Sequence, residues 1–495
     1  MGSNGFFWFV IGLFLFQASW LVYSALYPMA FDEAYHFNLI RTYAGGWLPF
    51  LAEHPEGMGF NAVTRYPSYF FHYLMSFPYR LIELFTPVEF TQITLLRMIN
   101  VGFFAGSLVL FRKLLIRSGL SSAMSNIGIL LFSLIPIVPL LAAHINYDNL
   151  LILLIAWMLL LSQRIITFLQ EKTIPLKEIL IITIIGLFSA IVKYAVLPIL
   201  LGIFGFLFLY GVWQFWKVPR QELTEKIKSG WGKMSLLLKI STLLLLLISG
   251  GLAFERYGVN LISYQSLVPA CDQVLSEEQC MEFGPYERNV GYREARDPDF
   301  QPDRIAHGQR WFSGMWYRTF FMINGDVPVD RYQNFAPLPL PAIAATGVLL
   351  LGLFASAFYW RSVFARRPFI VMLAIVTLVY MAVLFFRNYS GYVDQGRTAA
   401  LNGRYLLLIF PSVIAIMGLG LRRLFADRLK LKVITSVIVI ALFLQGGGLI
   451  SFLVRSSDSW YWPIDSVQQV NSRSQELIHP VIFGSDEEHL RTIPR

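Results

Sequence analysis

The sequence predicts an all-α membrane protein that crosses the bilayer about 11 times and carries two long extracytoplasmic segments. Three observations predict this fold class. Of the 495 residues, 56% are hydrophobic and only 14% are charged, which is too apolar for a soluble globular protein. Apolar runs of about 17–25 residues recur along the whole chain, and each could cross a ~30 Å hydrocarbon core as a helix. Finally, basic residues gather in alternate connections between these runs.

The apolar runs define the predicted spans in order. The first, 6–27, has no basic segment before it and is long for a signal peptide, so we expect a retained span. The predicted spans are 6–27, 91–111, 123–142, 148–164, 178–194, 196–214, 236–254, 338–360, 368–386, 405–421 and 433–454.

The basic residues predict the orientation. Alternate connections hold about 20 Lys and Arg residues, against about four in the short connections on the other side. This bias predicts a multi-pass protein of the plasma (inner) membrane with a cytoplasmic N-terminus and an extracytoplasmic tail. Because every lysine except Lys193 lies in the basic connections, the net charge of +9 indicates topology and contact with membrane lipids, and no nucleic-acid partner.

Four regions follow from this topology. They are an N-terminal transmembrane module (1–254) with a long first outer loop (28–90), an extracytoplasmic insert (255–337), a C-terminal transmembrane module (338–454) and an extracytoplasmic tail (455–495). We expect the stretch 69–77 to lie along the membrane interface, and Trp460, Tyr461 and Trp462 to place the tail near it as a small cap.

The insert contains the only two cysteines of the chain, Cys271 and Cys280, together with eight arginines and no lysine. An oxidising compartment would allow a disulfide that closes a short loop and contributes about 2–3 kcal/mol. The alternative is a pair of free thiols.

Asp32 and Glu33 directly follow the first span. Acidic residues are costly in hydrocarbon, so a carboxylate pair at its edge is a candidate functional site. Asp32 is suited to take a proton from a hydroxyl nucleophile, and His36, four residues later, would share its helix face. Two alternatives stay open: Asp32 is only a helix N-cap, or the pair holds a divalent cation.

A second cluster lies at the outer turn between the third and fourth spans. His144 and Asn146 add polar groups to a tight turn, and Asp148 opens the following span. Asp148 is either a helix cap that complements the helix dipole or part of a substrate site with His144 and Asn146.

Isolated basic residues on the outer side form a third group. Lys193 lies at the turn between two apolar spans, where it either snorkels to the interface or binds a lipid phosphate. Arg404 directly precedes a span, where its charge opposes the helix dipole unless an anion is bound. Arg65 and Arg397 are further candidates on this side. The sequence has no Walker loop, dinucleotide fingerprint, HExxH or CxxC pair, so nucleotide hydrolysis and zinc chemistry have no support.

These clusters together resemble the GT-C-type glycosyltransferases, which are multi-span enzymes that use polyprenyl-phosphate-linked sugars. Asp32-Glu33 is similar to the acidic motif in the first outer loop of that class. The segment 65–70 resembles its proline-and-tyrosine segment. The segments 193–198 and 403–411 resemble segments of the aminoarabinose and protein O-mannosyl transferase branch and of related bacterial membrane proteins.

The resemblance implies a hexosyl- or pentosyltransferase that moves a sugar from a polyprenyl-phosphate donor to a lipid-linked glycan or another extracytoplasmic acceptor. It implies that Asp32, with Glu33, is catalytic. Lys193, Arg404 and Arg65 would bind the lipid phosphate. Tyr66, with His36, would contact substrate. Aromatic residues such as Tyr35, Tyr66, Trp311 and Trp316 would stack on sugars, and the alternative for each is an anchor at the membrane interface.

Two other functions remain open at this stage. The first is a polymerase or ligase of lipid-linked glycans, which also places arginines in large outer loops. The second is a transporter or flippase, which would place polar or broken helices near the membrane midplane. The sequence does not fix the sugar, the acceptor or the need for a metal; the only cofactor it suggests is a divalent cation at Asp32 and Glu33.

Overall fold

The computed structural model describes residues 1–30, 32–50, 63–320, 339–399, 401–426, 428–456 and 460–483. Parts of the predicted first outer loop (51–62), insert (321–337) and tail (484–495) lie outside the described residues. The described part of the chain consists of helices and connections, with no strand and one isolated β-bridge between Ala25 and Tyr461.

The described residues up to Phe215 form nine helices. They are α1 (Asn4–Ser24), α2 (Glu33–Ala44), α3 (Phe70–Phe85), α4 (Glu89–Arg117), α5 (Ser122–Ser133), α6 (Ile137–Ala142), α7 (Tyr147–Gln170), α8 (Leu176–Val192) and α9 (Leu197–Phe215). A 3-10 turn, Tyr194–Val196, joins α8 to α9. Pro136 separates α5 from α6, because proline cannot donate the hydrogen bond that a continuous helix needs there.

The middle of the chain contains one further membrane helix and the outer insert. Its helices are α10 (Arg220–Gly232), α11 (Leu236–Ala253), α12 (Val259–Tyr264), α13 (Glu277–Met281), α14 (Gly284–Glu294) and α15 (Arg304–Phe320). A π-turn, Phe254–Gly258, connects α11 to α12, and a 3-10 turn, Cys271–Gln273, precedes α13. In the structure a disulfide joins Cys271 to Cys280, with their Cα atoms 5.7 Å apart.

The C-terminal part returns to membrane helices. It comprises α16 (Pro339–Phe358), α17 (Trp360–Phe364), α18 (Pro368–Gln395), a 3-10 turn (Gly403–Leu408), α19 (Phe410–Leu424), α20 (Leu429–Leu444), α21 (Leu449–Arg455) and α22 (Asp465–Phe483).

Within the described ranges, eight helical stretches are long and apolar enough to cross a membrane. They are Asn4–Ser24, Glu89–Arg117, Tyr147–Gln170, Tyr194–Phe215, Leu236–Tyr264, Pro339–Phe358, Pro368–Gln395 and Leu429–Val454. The other three predicted spans, 123–142, 178–194 and 405–421, coincide with the shorter helices α5 and α6, α8, and α19. The predicted all-α polytopic fold is therefore confirmed, and the count of eleven spans stays a prediction.

The helices pack into one bundle around α4 and α7. α4 packs against α1 and α7, α7 packs against α8 and α9, and α18 joins α9 to α19, which also packs closely on α16. A Cβ atom at Gly420 of α19 would lie 2.5 Å from the backbone nitrogen of Ser356 in α16. The close approach of these two helices therefore requires a glycine at this position.

Two segments at one end of the bundle surround the C-terminus of α1. The tail pairs with it directly, since Leu26 N donates to Trp460 O and Trp462 N donates to Ser24 O, each at 3.0 Å. On the other side, α3 packs on α2 through buried residues such as Phe71 and leaves Leu74, Phe77, Leu81 and Leu84 exposed on its opposite face. An exposed apolar face of this kind suits a helix that lies in the membrane interface.

Candidate active site

Asp32 lies between α1 and α2 with an unusual backbone. Its φ and ψ of 63° and 29° are in the left-handed region, which few residues other than glycine adopt, although aspartate tolerates it. Asp32 occupies the N-cap position of α2, but its side chain makes no capping hydrogen bond. Its carboxylate, with 47% of the side chain exposed, instead accepts from Arg404 Nη2 at 3.0 Å. Helix capping therefore does not explain this aspartate.

Glu33 points into the bundle, away from Asp32's partner. Its carboxylate accepts from Arg97 Nε at 2.8 Å and Nη2 at 2.7 Å, and also from the backbone nitrogens of Met29 and Ile145 at 2.7 and 3.2 Å. Burial by itself would raise the pKa of Glu33, but the charge and hydrogen bonds of Arg97 outweigh it and hold the pKa below its ordinary value. Glu33 is thus a fully buried, ionised anchor.

The two neighbouring carboxylates do not converge on one point. Asp32 pairs with Arg404 and Glu33 pairs with Arg97, so this geometry does not support the predicted cation site at Asp32 and Glu33. Among the described residues there is also no group of three or more His, Cys, Asp or Glu side chains that could hold a metal ion.

Asp148 and Lys193 form a buried ion pair next to Arg404. Lys193 Nζ lies 2.6 Å from Asp148 Oδ1, and Arg404 Nε lies 3.9 Å from Asp148 Oδ2. The three side chains are 5% exposed or less. Lys193 therefore does not snorkel, because its ammonium lies in the protein and is paired.

Local structure positions each of these charges. Asn146, and not Asp148, caps α7, since its side chain accepts from Asp148 N at 2.9 Å and leaves the Asp148 carboxylate free to bind Lys193. Lys193 is the C-cap of α8. The Asn402 side chain accepts from Arg404 N at 3.0 Å and starts the 3-10 turn before α19. The start of α7, the end of α8 and the start of the 3-10 turn before α19 therefore bring these charges together.

The contacts form a continuous row of alternating charge, Lys193–Asp148–Arg404–Asp32, which we call the charge row. It begins at buried Lys193 and ends at half-exposed Asp32. Its formal charge is balanced, with two cations and two carboxylates. Only the Asp32 end of the row has a carboxylate that solvent or a substrate can reach.

Aromatic residues that the sequence did not single out surround the ammonium of this row. Lys193 Nζ lies 4.4 Å from the ring centre of Tyr147 and 5.2 Å from that of Tyr405, within the range of cation–π contact. Each tyrosine is the sequence neighbour of a site residue, Asp148 or Arg404, and Tyr405 also lies in the segment 403–411 that carries part of the resemblance.

His36 also belongs to this region, with a partner that the sequence analysis did not include. Its Nδ1 lies 2.8 Å from His72 Nε2, and its ring packs edge-on against Tyr147 with 4.5 Å between centres. Burial lowers the pKa of both histidines, that of His72 to about 3, so both rings are neutral near pH 7. A neutral pair shares one hydrogen between these two nitrogens and fixes α2 against α3.

Other predicted site residues lie nearby or elsewhere. Arg65 does not join Lys193 and Arg404; it binds Glu255 at 2.6 Å and Asn260 at 2.8 Å, which ties the first outer loop to the π-turn and α12. Tyr66 lies closer to the site, since its ring centre is 5.5 Å from that of Tyr194, the neighbour of Lys193.

His144, Arg397 and the insert tryptophans contribute in other ways. His144 is buried with Nδ1 2.5 Å from Leu140 O, and Arg397 lies over the ring of Tyr292 in α14. Trp311 is fully buried and donates to Asn388, whereas Trp316 donates to Thr346. The predicted stacking of a sugar on Trp311 therefore has no accessible ring face in this structure.

Known proteins give a limited comparison with this chain. No protein-family model matches the sequence, and no curated protein matches it. One similar solved structure is the Archaeoglobus fulgidus oligosaccharyltransferase tethered to an acceptor peptide with an NVT sequon, at 13% identity, a TM-score of 0.46 and coverage of 96% of this chain and 55% of that one. Another is the archaeal oligosaccharyltransferase AglB from Archaeoglobus fulgidus with an inhibitory peptide and a dolichol-phosphate, at 14% identity, a TM-score of 0.42 and coverage of 95% and 56%. The chain thus spans little more than half the length of these proteins.

Proposed function

We propose that this chain is a membrane glycosyltransferase that moves a sugar from a polyprenyl-phosphate donor to a hydroxyl group of an extracytoplasmic acceptor, such as a lipid-linked glycan. The observation that carries the proposal is the charge row. Arg404 contacts both the solvent-accessible carboxylate of Asp32 and the buried ion pair of Asp148 and Lys193. A reaction that needs a base beside a phosphate-binding cation has both groups here.

Asp32 is the proposed base. Its side chain is 47% exposed, so an acceptor hydroxyl can approach it. Asp32 takes the hydroxyl proton while the acceptor oxygen bonds to the anomeric carbon of the sugar, and the bond from that carbon to the phosphate oxygen breaks. The electron pair leaves with the polyprenyl phosphate.

Arg404 and Lys193 are the proposed stabilisers of the leaving phosphate. A guanidinium has five N–H donors, so Arg404 can contact Asp32 and a phosphate oxygen together. Fixed positive charge aimed at a developing anion in a water-poor site is often the largest catalytic contribution. Asp148 holds Lys193 beside Arg404 and supplies the counter-charge before the phosphate arrives.

The surrounding groups hold this geometry. Glu33 and Arg97 are proposed as positioning residues, since their buried pair fixes the start of α2 directly after Asp32. Tyr66 and Tyr35 are proposed to contact the sugar or acceptor, and Arg65 to hold the first outer loop against α12. We propose no metal at Asp32 and Glu33, because their carboxylates bind different arginines.

Turnover of a lipid donor tests the proposal. Purified full-length protein in lipid nanodiscs would be given radiolabelled polyprenyl-phosphate sugars, with and without membrane extract as the acceptor source. We expect one donor to lose its label to the acceptor and expect Asp32→Asn to lower the rate at least 100-fold, since a positioned base contributes about 10²–10⁴-fold. Asparagine also tolerates the left-handed backbone, so the substitution keeps the local fold.

Asp272→Asn is the matched control, because Asp272 is an exposed aspartate of the insert and takes no part in the charge row. Its rate should equal that of the wild type. Full turnover by Asp32→Asn would remove Asp32 as the base. If no monophosphate donor is consumed but lipid-linked oligosaccharides are extended, the protein is a polymerase or ligase, and movement of an unmodified lipid across the bilayer would instead indicate a flippase.

A further inference from the structure

The opposite end of the bundle contains a basic cavity that the proposed reaction does not use. The cavity has a volume of about 330 Å³, and four of its lining residues are basic. They are Arg367, Arg422, Arg423 and Lys432. α19 alone, which starts shortly after Arg404 and ends beyond Arg423, extends about 22 Å at 1.5 Å per residue. The basic cavity is therefore separate from the charge row.

The positive charges of this basic cavity are concentrated. None of the four basic side chains forms an ion pair with a described residue; Asp427 lies outside the described part of the chain. Burial, and then the like charges of Arg422 and Arg423, lower the pKa of Arg367. Arg422 Nη1 donates to Gly119 O at 2.5 Å, just past the end of α4. The basic side chains of the cavity therefore repel one another, and an anion bound among them would reduce this repulsion.

An apolar groove continues from this cavity along the bundle. Phe425 and Lys432 line both, and the groove is bounded by α5, α16, α19 and α20. Its wall on α20 runs from Lys432 to Phe443, which is about 16 Å at 1.5 Å per residue. This is about half of a ~30 Å hydrocarbon core, or the depth of one leaflet. The basic cavity and the apolar groove together would fit a molecule with an anionic headgroup and an apolar chain.

We propose that the basic cavity and its groove bind one anionic glycerophospholipid of the leaflet opposite Asp32. The phosphate lies among Arg367, Arg423 and Lys432, and an acyl chain lies in the groove between α19 and α20. The groove and the cavity each disfavour a different class of competing ligand. Inorganic phosphate has no chain to fill the groove, and a zwitterionic lipid brings its own cationic headgroup into a cavity that already holds four cations. The lipid phosphate thereby connects Arg367, which directly precedes α18, to α19 and α20.

Lipid retention by the full-length protein tests this inference without any turnover assay. Protein delipidated in detergent would be titrated with phosphatidylglycerol, and binding would be read by native mass spectrometry, with phosphatidylcholine, polyprenyl phosphate and inorganic phosphate as competitors. We expect phosphatidylglycerol to bind at least tenfold more tightly than phosphatidylcholine. The double variant Arg423→Gln, Lys432→Gln should weaken it at least tenfold, since two contacts to the phosphate are lost.

A matched double variant, Arg428→Gln, Lys430→Gln, removes the same charge from exposed residues of the same connection that do not line the cavity. It should change the affinity less than twofold. Equal weakening by both double variants, or equal binding of the two phospholipids, would overturn the proposal. Stronger competition by polyprenyl phosphate than by phosphatidylglycerol would overturn the assigned occupant.

The groove has its own test. Ser436 lines it on α20, and Ser436→Trp places a large ring where the acyl chain should lie while leaving every basic residue unchanged. We expect at least a tenfold loss of phosphatidylglycerol binding. Unchanged lipid affinity in this variant, or complete displacement of the lipid by inorganic phosphate, would show that the groove is empty of lipid and would overturn the proposal. Because none of these readouts uses donor turnover, they are independent of the proposed reaction.

Discussion

Asp32 and Glu33 are adjacent in the chain but have opposite environments. The left-handed backbone of Asp32 and the start of α2 at Glu33 direct one carboxylate towards Arg404 and the other into the bundle. One side chain is 47% exposed and the other is fully enclosed. At the scale of single residues, one carboxylate is therefore available for chemistry because the other fixes the backbone beside it.

This division of labour predicts that Glu33→Gln destabilises the protein strongly. The change leaves the Arg97 guanidinium buried without its counter-charge, which costs about 3 kcal/mol or more. The free energy of unfolding in mixed micelles measures it. Glu278→Gln is the matched control, since Glu278 is an exposed glutamate of the insert and its loss should cost less than about 0.5 kcal/mol. Equal stability of both variants would contradict the structural role of this pair.

The pH dependence of stability should identify the same group. The pKa of Glu33 is lower in the folded chain than its ordinary value of 4.5, so the ionised carboxylate contributes stability above that value. This contribution is lost as the pH falls through the folded-state pKa. The stability difference between the wild type and Glu33→Gln should therefore be constant at neutral pH and shrink below pH 4.5. A difference that grows on acidification would contradict this assignment.

At the scale of elements, the start of α7 determines where Asp148 lies. Asn146 caps this helix through a hydrogen bond to Asp148 N at 2.9 Å, and the Asp148 carboxylate then reaches Lys193 at the end of α8. The Asn146 cap therefore fixes the position of Asp148 in the charge row and also satisfies a backbone N–H at the start of α7.

Asn146→Ala should consequently affect both stability and turnover. Losing a cap costs about 1 kcal/mol, and moving Asp148 should lower donor turnover about tenfold. Ser235→Ala is the matched control, because the Ser235 side chain caps α11 by accepting from Leu238 N, away from the charge row. It should lower stability similarly and leave turnover unchanged. Equal donor turnover in Asn146→Ala and Ser235→Ala would contradict the claim that the Asn146 cap positions Asp148 for the reaction.

The sequence predicted the helices better than the contacts between them. Apolar length is a local property, so helices occur at every predicted span, and Pro136 explains why one of them is broken. Ion pairing is not local. Glu33 and Arg97 are 64 residues apart and Lys193 and Asp148 are 45 apart, so a single sequence could name the charges but not their partners. Arg65 illustrates the same limit, because its partner Glu255 is 190 residues away.

At the scale of the whole molecule, the alternation of spans collects the candidate site at one end of the bundle. Asp32, Asp148, Lys193 and Arg404 come from four separate connections, and each of these connections lies on the side predicted to be extracytoplasmic. The basic cavity lies at the other end, formed by connections rich in arginine and lysine. Topology thus explains why these charges share an end, whereas packing explains which of them touch.

The described part of the tail contacts the C-terminal end of α1 near this site, which leads to a last prediction. The tail holds the C-terminus of α1 through Leu26 N to Trp460 O, Trp462 N to Ser24 O and Trp20 Nε1 to Asn471 Oδ1, each at 3.0 Å. Ending the chain at Ser456 removes these three hydrogen bonds, which contribute about 1 kcal/mol each. We expect the free energy of unfolding to fall by about 3 kcal/mol.

Donor turnover should fall in the same truncation, because the freed segment leads directly to Asp32 and its Ala25 carbonyl accepts from Arg97 Nη1 at 2.6 Å. A chain that ends at Phe483 retains all three hydrogen bonds and is the matched control, expected to match the full-length protein in both measurements. If the chain ending at Ser456 unfolds at the same temperature as that control, the tail does not support α1. If it is destabilised but turns over donor at the full rate, the support does not extend to Asp32. A loss of both is expected, because one continuous stretch of backbone connects the tail contacts, the Arg97 contact and the proposed base.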